Sequence, residues 1–279
     1  MHLPALPEGA VALHSDGALL AVREDYVARF REWRIEARKG EPFETTELTG
    51  RRALASVKGS DGAVLVRRFS HGGLLAPLTG RRFASPDRPF AEWRLAERLR
   101  ALGLPTPAVV AARARPLTGF GWTLELFVER VEGSQDLGAT IDQRRSGRLD
   151  DAAWRQVIER FGSLIGRAHF AGFLHADLHP KNVLVDADGT LLFVDLDRSR
   201  IENPLDEKKR LVNLARLWRW VEREDRRAPF LSRTDVWRFL SRWSAEAGGS
   251  SVREAFEAIA RHTRKNRVWH RAGRTLQGR

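Results

Sequence analysis

The sequence predicts an α+β protein of two lobes, and three observations predict it. Short β-prone runs separated by turns gather between residues 46 and 133 around a single helical segment. From residue 151 onward the chain is dominated by apolar residues at helical spacing. One loop rich in Asp and Asn, flanked by two short strands, interrupts those helices. A chain of 279 residues with 42% hydrophobic content is large enough to bury a core in each lobe. The boundaries read as a lead-in over 1–45, a first lobe over 46–133 with an antiparallel sheet and one helix, and a mostly helical second lobe over 134–279.

In the lead-in, Val27, Phe30, Trp33 and Ile35 mark one face of an amphipathic helix within a charged stretch over 23–39. The pattern then turns to strand type. ALASV (53–57), a turn-rich KGSDG and AVLVRRF (63–69) predict a hairpin, which His71-Gly72-Gly73 ends. Residues 89–102 (PFAEWRLAERLRAL) combine good helix formers with apolar residues at helical spacing, and Gly103, Pro105 and Pro107 stop them. VVAARA (109–114) and WTLELFVERV (122–131) are β-prone and complete an antiparallel sheet against that helix.

In the second lobe, residues 151–170 form a long amphipathic helix with acidic residues at its positive end. NVLV and LLFVD then predict two strands about a tight turn at 186–189. The segments 207–224, 234–246 and 252–262 are helical by spacing, with Trp218, Trp220, Trp237 and Trp243 read as core or lobe-packing residues.

Composition narrows the partners. Lys and Arg total 48 against 36 Asp and Glu, a formal net charge of +12, which favours polyanions: nucleic acid, anionic lipid headgroups or phosphorylated substrates. No nucleic-acid-binding module is recognisable, so nucleic acid is not an expected partner. The basic tail over 261–279, with Trp269, suits docking on an anionic membrane face. The absence of cysteine excludes disulfides and thiolate metal sites. No apolar run approaches the roughly 18 residues of a spanning helix, and the first residues lack signal-peptide character, so a cytoplasmic protein is expected, peripheral on an anionic membrane face through its basic tail.

The chemistry concentrates in His175-Ala176-Asp177-Leu178-His179-Pro180-Lys181-Asn182, followed thirteen residues after Asn182 by Asp195 at the end of an apolar strand. One hairpin thus places two carboxylates and a carboxamide. Asp177 can reach a substrate hydroxyl, while Asn182 and Asp195 supply hard oxygens for a divalent cation, which is what phosphoryl transfer requires. His169, His175 and His179 also raise a zinc reading, but Pro180 argues against helical presentation of the latter pair.

The loop resembles the H-R-D-x-x-x-x-N catalytic loop of protein-kinase-like enzymes, with Ala176 in place of the arginine and Val194-Asp195-Leu196-Asp197 where those enzymes carry D-F-G. Several further pieces resemble the bacterial lipopolysaccharide kinase family, comprising Kdo kinases and core heptose kinases. They are VLVRRFSHGGL from Val64, Phe90-Ala91-Glu92-Trp93, the LGLPTP run from Leu102, Glu129-Arg130-Val131-Glu132-Gly133 and Asn213-Leu214-Ala215-Arg216-Leu217. The resemblance covers roughly residues 48–219.

It implies a two-lobed protein-kinase-like fold and an ATP- and Mg²⁺-dependent kinase of a sugar hydroxyl on an anionic glycolipid of the lipopolysaccharide core. Asp177 would be the catalytic base, and Asn182 and Asp195 would hold the metal. Arg67, with Arg68 as its rival, would replace the usual nucleotide-binding lysine and partner Glu92. Gly50 would sit in the phosphate-covering loop, and Lys181 would contact the γ-phosphate. Two alternatives stay open: a soluble kinase of the aminoglycoside or choline type, and a membrane-associated pseudokinase scaffold, the latter suggested by the missing lysine and the sparse glycine loop.

Overall fold

The computed structural model describes residues 4–13, 17–33, 35, 44–49, 53–59, 62–70, 80–248, 251–257 and 259–261. The chain divides into two compact units, Met1–Val131 and Glu132–Arg279.

The first unit contains β1 (Ala10–Leu13), β2 (Leu19–Arg23), α1 (Val27–Glu32), β3 (Glu44–Thr49), β4 (Ala53–Gly59), β5 (Gly62–Arg68), α2 (Arg88–Ala101), β6 (Val109–Pro116) and β7 (Trp122–Glu129). They make a seven-stranded antiparallel sheet in the order β1-β2-β6-β7-β5-β4-β3, with α2 lying against β6 and β7. The predicted hairpin is β4–β5, in register from Ala55 opposite Val66 to Gly59 opposite Gly62. Alternation along β5 buries Val64 and Val66, with Leu65 and Arg67 half-buried on the other face, and Arg68, in phase with the valines, is exposed where the strand ends. Gly103, at φ +70°, follows α2 in a left-handed conformation that glycine adopts without penalty.

Residues 10–35, which the sequence places in a lead-in, contribute β1 and β2 to this sheet. They also supply Leu20, Val22, Tyr26, Phe30 and Ile35 to one core with Val64, Val66 and Phe127. Phe30 meets Phe127 edge-on at 5.2 Å. The expected long helix is a 3₁₀ turn, Glu24–Tyr26, followed by the six residues of α1. Arg23 stays in the strand, bonded to Glu129 of β7 at 2.7 Å. Past α1, the Ile35 N–H bonds the Phe30 carbonyl, a wide turn that buries Ile35 instead of extending the helix.

The second unit contains β8 (Gln135–Asp136), α3 (Leu137–Arg145), α4 (Asp151–Phe170), β9 (Phe173–Leu174), β10 (Val183–Val185), β11 (Leu191–Phe193), β12 (Arg200–Ile201), α5 (Glu207–Arg227) and α6 (Arg233–Ala247). Asp150 caps α4 by accepting from the Ala153 N–H at 2.8 Å, and Ser232 and Asp235 close a capping box on α6. Helices α4 and α6 pack backbone to backbone. A Cβ on Gly166 would lie 2.7 Å from the Trp243 carbonyl, and one on Gly162 would strike the Phe239 carbonyl, so these positions require glycine for close approach.

Trp243 is buried in that contact, and Trp218 and Trp220 are half-buried. Trp237 corrects the sequence reading: it is 57% exposed, because it lies off the α6 face formed by Leu240, Trp243 and Ala247. Among the described residues, no helix is long and apolar enough to cross a membrane.

Candidate active site

In the second unit, β9 leads into the loop 175–179, a 3₁₀ turn Pro180–Asn182 leads out of it, and β10 and β11 form the hairpin that returns the chain to Asp195. The Asp186–Gly189 turn closes that hairpin, with Gly189 at φ +75°. Leu178 is buried and anchors the loop, while the Asp177 side chain is 60% exposed.

His175 ties the two ends of this hairpin together. Its Nδ1 accepts the Asp177 N–H at 3.2 Å and its Nε2 lies 3.0 Å from the Val194 carbonyl. A carbonyl only accepts and an N–H only donates, so His175 is the neutral Nε2–H tautomer. Its ring is buried against Phe173 and Phe193, and that burial lowers its pKa, which keeps the neutral form in place. One imidazole therefore fixes the backbone of Asp177 and that of the residue before Asp195.

Asn182 is fixed from the other side. Its Nδ2 donates to the Asp177 carbonyl at 2.8 Å, and the Val194 N–H donates to its own carbonyl at 3.1 Å. With the amide nitrogen so engaged, the Asn182 side-chain oxygen is the atom left for a cation. Asp195, exposed and in a left-handed conformation at φ +56°, supplies a carboxylate from the adjoining strand end. The carboxamide oxygen of the turn before β10 and the carboxylate beyond β11 are hard donors of the kind a divalent cation such as Mg²⁺ takes. Zinc fits poorly, because both ring nitrogens of His169 and of His175 are spent on protein hydrogen bonds.

Where the family loop has arginine, Ala176 donates its N–H to Ser199 Oγ at 2.9 Å. His179 stacks on Trp220, with ring centroids 6.2 Å apart, and its Nε2 lies 3.4 Å from Asp177 Oδ2. Lys181 is exposed, and its stem passes Gly138, where a Cβ would lie 3.1 Å from Lys181 Cγ.

Beneath the loop runs a buried relay that sequence reasoning missed. The Trp243 Nε1–H donates to His169 Nδ1 at 2.9 Å, which leaves Nε2–H to donate to Asn213 Oδ1 at 3.2 Å. Asn213 Nδ2 then donates to the His175 carbonyl at 2.9 Å. Burial lowers the His169 pKa to about 4, so His169 too is neutral. The available signal was Asn213 within the NLARL segment; nothing local links it to His169 or Trp243.

In the first unit, Arg67 of β5 pairs with the buried Glu92 of α2 and lies over the Phe69 ring at 4.5 Å. Arg68 points to the other face and donates to Glu125 at 3.1 Å. Burial raises the Glu125 pKa, and the fully buried Arg113, 2.6 Å away, outweighs it, so Glu125 is held below its ordinary value. The strand's alternation thus separates the two arginines, and Arg67 is the one on Glu92. Gly50 and His71-Gly72-Gly73 lie outside the described residues.

A helix-bearing antiparallel sheet followed by a helical unit with this loop defines a phosphotransferase of the protein-kinase-like class. The model of the lipopolysaccharide kinase (Kdo/WaaP) family matches residues 34–243, and the chain belongs to that family. It is 31% identical over 196 residues to a 3-deoxy-D-manno-octulosonic acid kinase of Photobacterium damsela subsp. piscicida, covering 68% of this chain and 78% of the relative. It is 32% identical over 184 residues to the kinase of the same name from Xylella fastidiosa strain M12, covering 64% and 70%. Among solved structures it is similar in fold to WaaP in complex with acyl carrier protein, with a TM-score of 0.59, 19% identity and coverage of 88% of this chain and 98% of that one.

Proposed function

We propose that this lipopolysaccharide kinase transfers the γ-phosphoryl group of ATP to a hydroxyl of a 3-deoxy-D-manno-octulosonic acid residue on a lipid-linked acceptor. The observation that carries the reading is the His175 clamp, which fixes the backbone at Asp177 and at Val194, next to Asp195, through one neutral ring. Asp177 orients the acceptor hydroxyl and takes its proton as the oxygen attacks. Asn182 and Asp195 hold Mg²⁺, which when bound neutralises charge on the nucleotide phosphates. Arg67, set by Glu92, grips the α- and β-phosphates through its planar fork, Lys181 meets the γ-phosphate, and Gly50 belongs to the loop over them.

The acceptor chemistry is supported by the names of the relatives and by two properties of this chain. Its net charge of +12 attracts an anionic glycolipid and favours peripheral association with an anionic membrane face. The second unit also contains an apolar cavity of about 280 Å³, lined by Leu137, Ile141, Trp154, Leu214 and Leu217 and by Pro180 of the loop, a lining suited to an acyl chain. Transfer of labelled phosphate from γ-labelled ATP to purified Kdo–lipid A tests the assignment. Incorporation by the wild-type chain and none by Asp177→Ala is expected; transfer to aminoglycoside or choline instead, or undiminished transfer by the variant, would end it.

A further inference from the structure

Helix α5 presents one face to the catalytic loop. Asn213 on that face holds the His175 carbonyl, and Trp220, seven residues on, stacks against His179, whose ring reaches Asp177. Arg216 lies three residues after Asn213 and four before Trp220. At helical periodicity it therefore shares their face, with about 5–6 Å between its Cβ and each of theirs.

Arg216 is half-buried, yet it makes no hydrogen bond or ion pair with any described residue, and the same is true of Arg219 one turn further along. This is unusual for the unit, where Arg144, Arg145, Arg210, Arg238 and Arg242 each find a carboxylate or a carbonyl. A guanidinium offers five donors in a planar fork and no acceptor, so one left without a protein partner on this face is available to a ligand's anion. Neither arginine was given a role by the metal, nucleotide or base assignments.

We propose that Arg216, flanked by Arg219, is the anchor for the acceptor's anion: it takes the carboxylate of the sugar acid and so sets which hydroxyl faces Asp177. The proposal rests on the acceptor assigned above and deepens it. A planar fork matches a carboxylate through two parallel hydrogen bonds, which fixes orientation as well as affinity. Arg219 adds positive potential at the rim.

The test is binding of a Kdo-bearing glycolipid to the full chain, measured by calorimetry with the natural carboxylate and with its carboxamide. Wild-type protein should bind the carboxamide about 10- to 100-fold more weakly than the carboxylate, as loss of a charged hydrogen bond predicts. Arg216→Gln should bind both forms equally weakly, while its affinity for a fluorescent ATP analogue stays at the wild-type value. Arg216→Lys should recover part of the affinity but not the positional selectivity of transfer, and it carries the test should Arg216→Gln fail to fold.

Equal binding of the carboxylate by Arg216→Gln and wild type would overturn the proposal. A loss confined to the ATP analogue would overturn it too, by giving Arg216 to the nucleotide. A variant that still prefers carboxylate over carboxamide by the wild-type ratio would also overturn it, because another group would then be holding the carboxylate. Carboxylate-dependent binding without any phosphoryl transfer by the wild type would instead remove the proposed reaction and leave the anchor standing.

Discussion

In the first unit Arg67 is held by a charge, the buried carboxylate of Glu92, and Arg68 by Glu125, itself paired with the buried Arg113. In the second unit Asp177 and the residue before Asp195 are held by a neutral imidazole, and the loop below them by a neutral chain from Trp243 through His169 and Asn213. The difference teaches where charge is tolerated. A basic group meant for phosphate can be positioned by a carboxylate, because the pair leaves donors of the guanidinium over. A carboxylate meant to take a proton, beside groups meant for a cation, is better positioned by dipoles, which add no competing charge.

The largest effect should come from the group that the neutral network positions. Asp177→Asn should lower the turnover of phosphoryl transfer by roughly 10²- to 10⁴-fold, the usual contribution of a general base. The thermal midpoint should hardly move, since the side chain is 60% exposed. A comparable fall in the midpoint would mean that the residue braces the loop.

Removal of a charge partner should show the opposite signature. Arg67→Met takes from the buried Glu92 its ion pair with Arg67 and should cost roughly 2–4 kcal/mol in denaturant unfolding, allowing for the partial exposure of the arginine. Arg67→Lys should restore most of that stability while nucleotide affinity stays low, because the planar fork is lost. Full nucleotide affinity in Arg67→Lys would show that a point charge suffices there.

The neutral relay should be sensitive to acid. His169 titrates near 4 in the folded chain against an ordinary 6.5, so between those values the unfolded state binds more protons and stability falls as pH falls. The sum approaches about 3 kcal/mol once pH has dropped through the folded value. The difference in unfolding free energy between wild type and His169→Gln, followed from pH 7 to pH 4, should shrink in step. A pH-independent difference would mean that His169 ionises alike in the folded and unfolded chains. The smallest effect on activity is expected from Trp243→Phe, which removes buried ring volume and leaves His169 Nδ1 without its donor; it should cost about 2–3 kcal/mol in stability and leave the acceptor KM unchanged.

By itself the sequence determined the β4–β5 hairpin, α2, α4 and the loop-and-hairpin segment that places Asp177, Asn182 and Asp195, because each is local. Turn residues, caps and a spacing of a few residues fix them before any distant contact forms. Tertiary structure alone decided which arginine meets Glu92, since that depends on which face of β5 looks toward a helix 25 residues away. It alone recruited residues 10–23 as sheet strands, paired β2 with β6, and joined His169 to Asn213 and Trp243 across 44 and 74 residues. Such partners are chosen by packing, where a buried donor must find an acceptor wherever the fold brings one, and no spacing along the chain announces it.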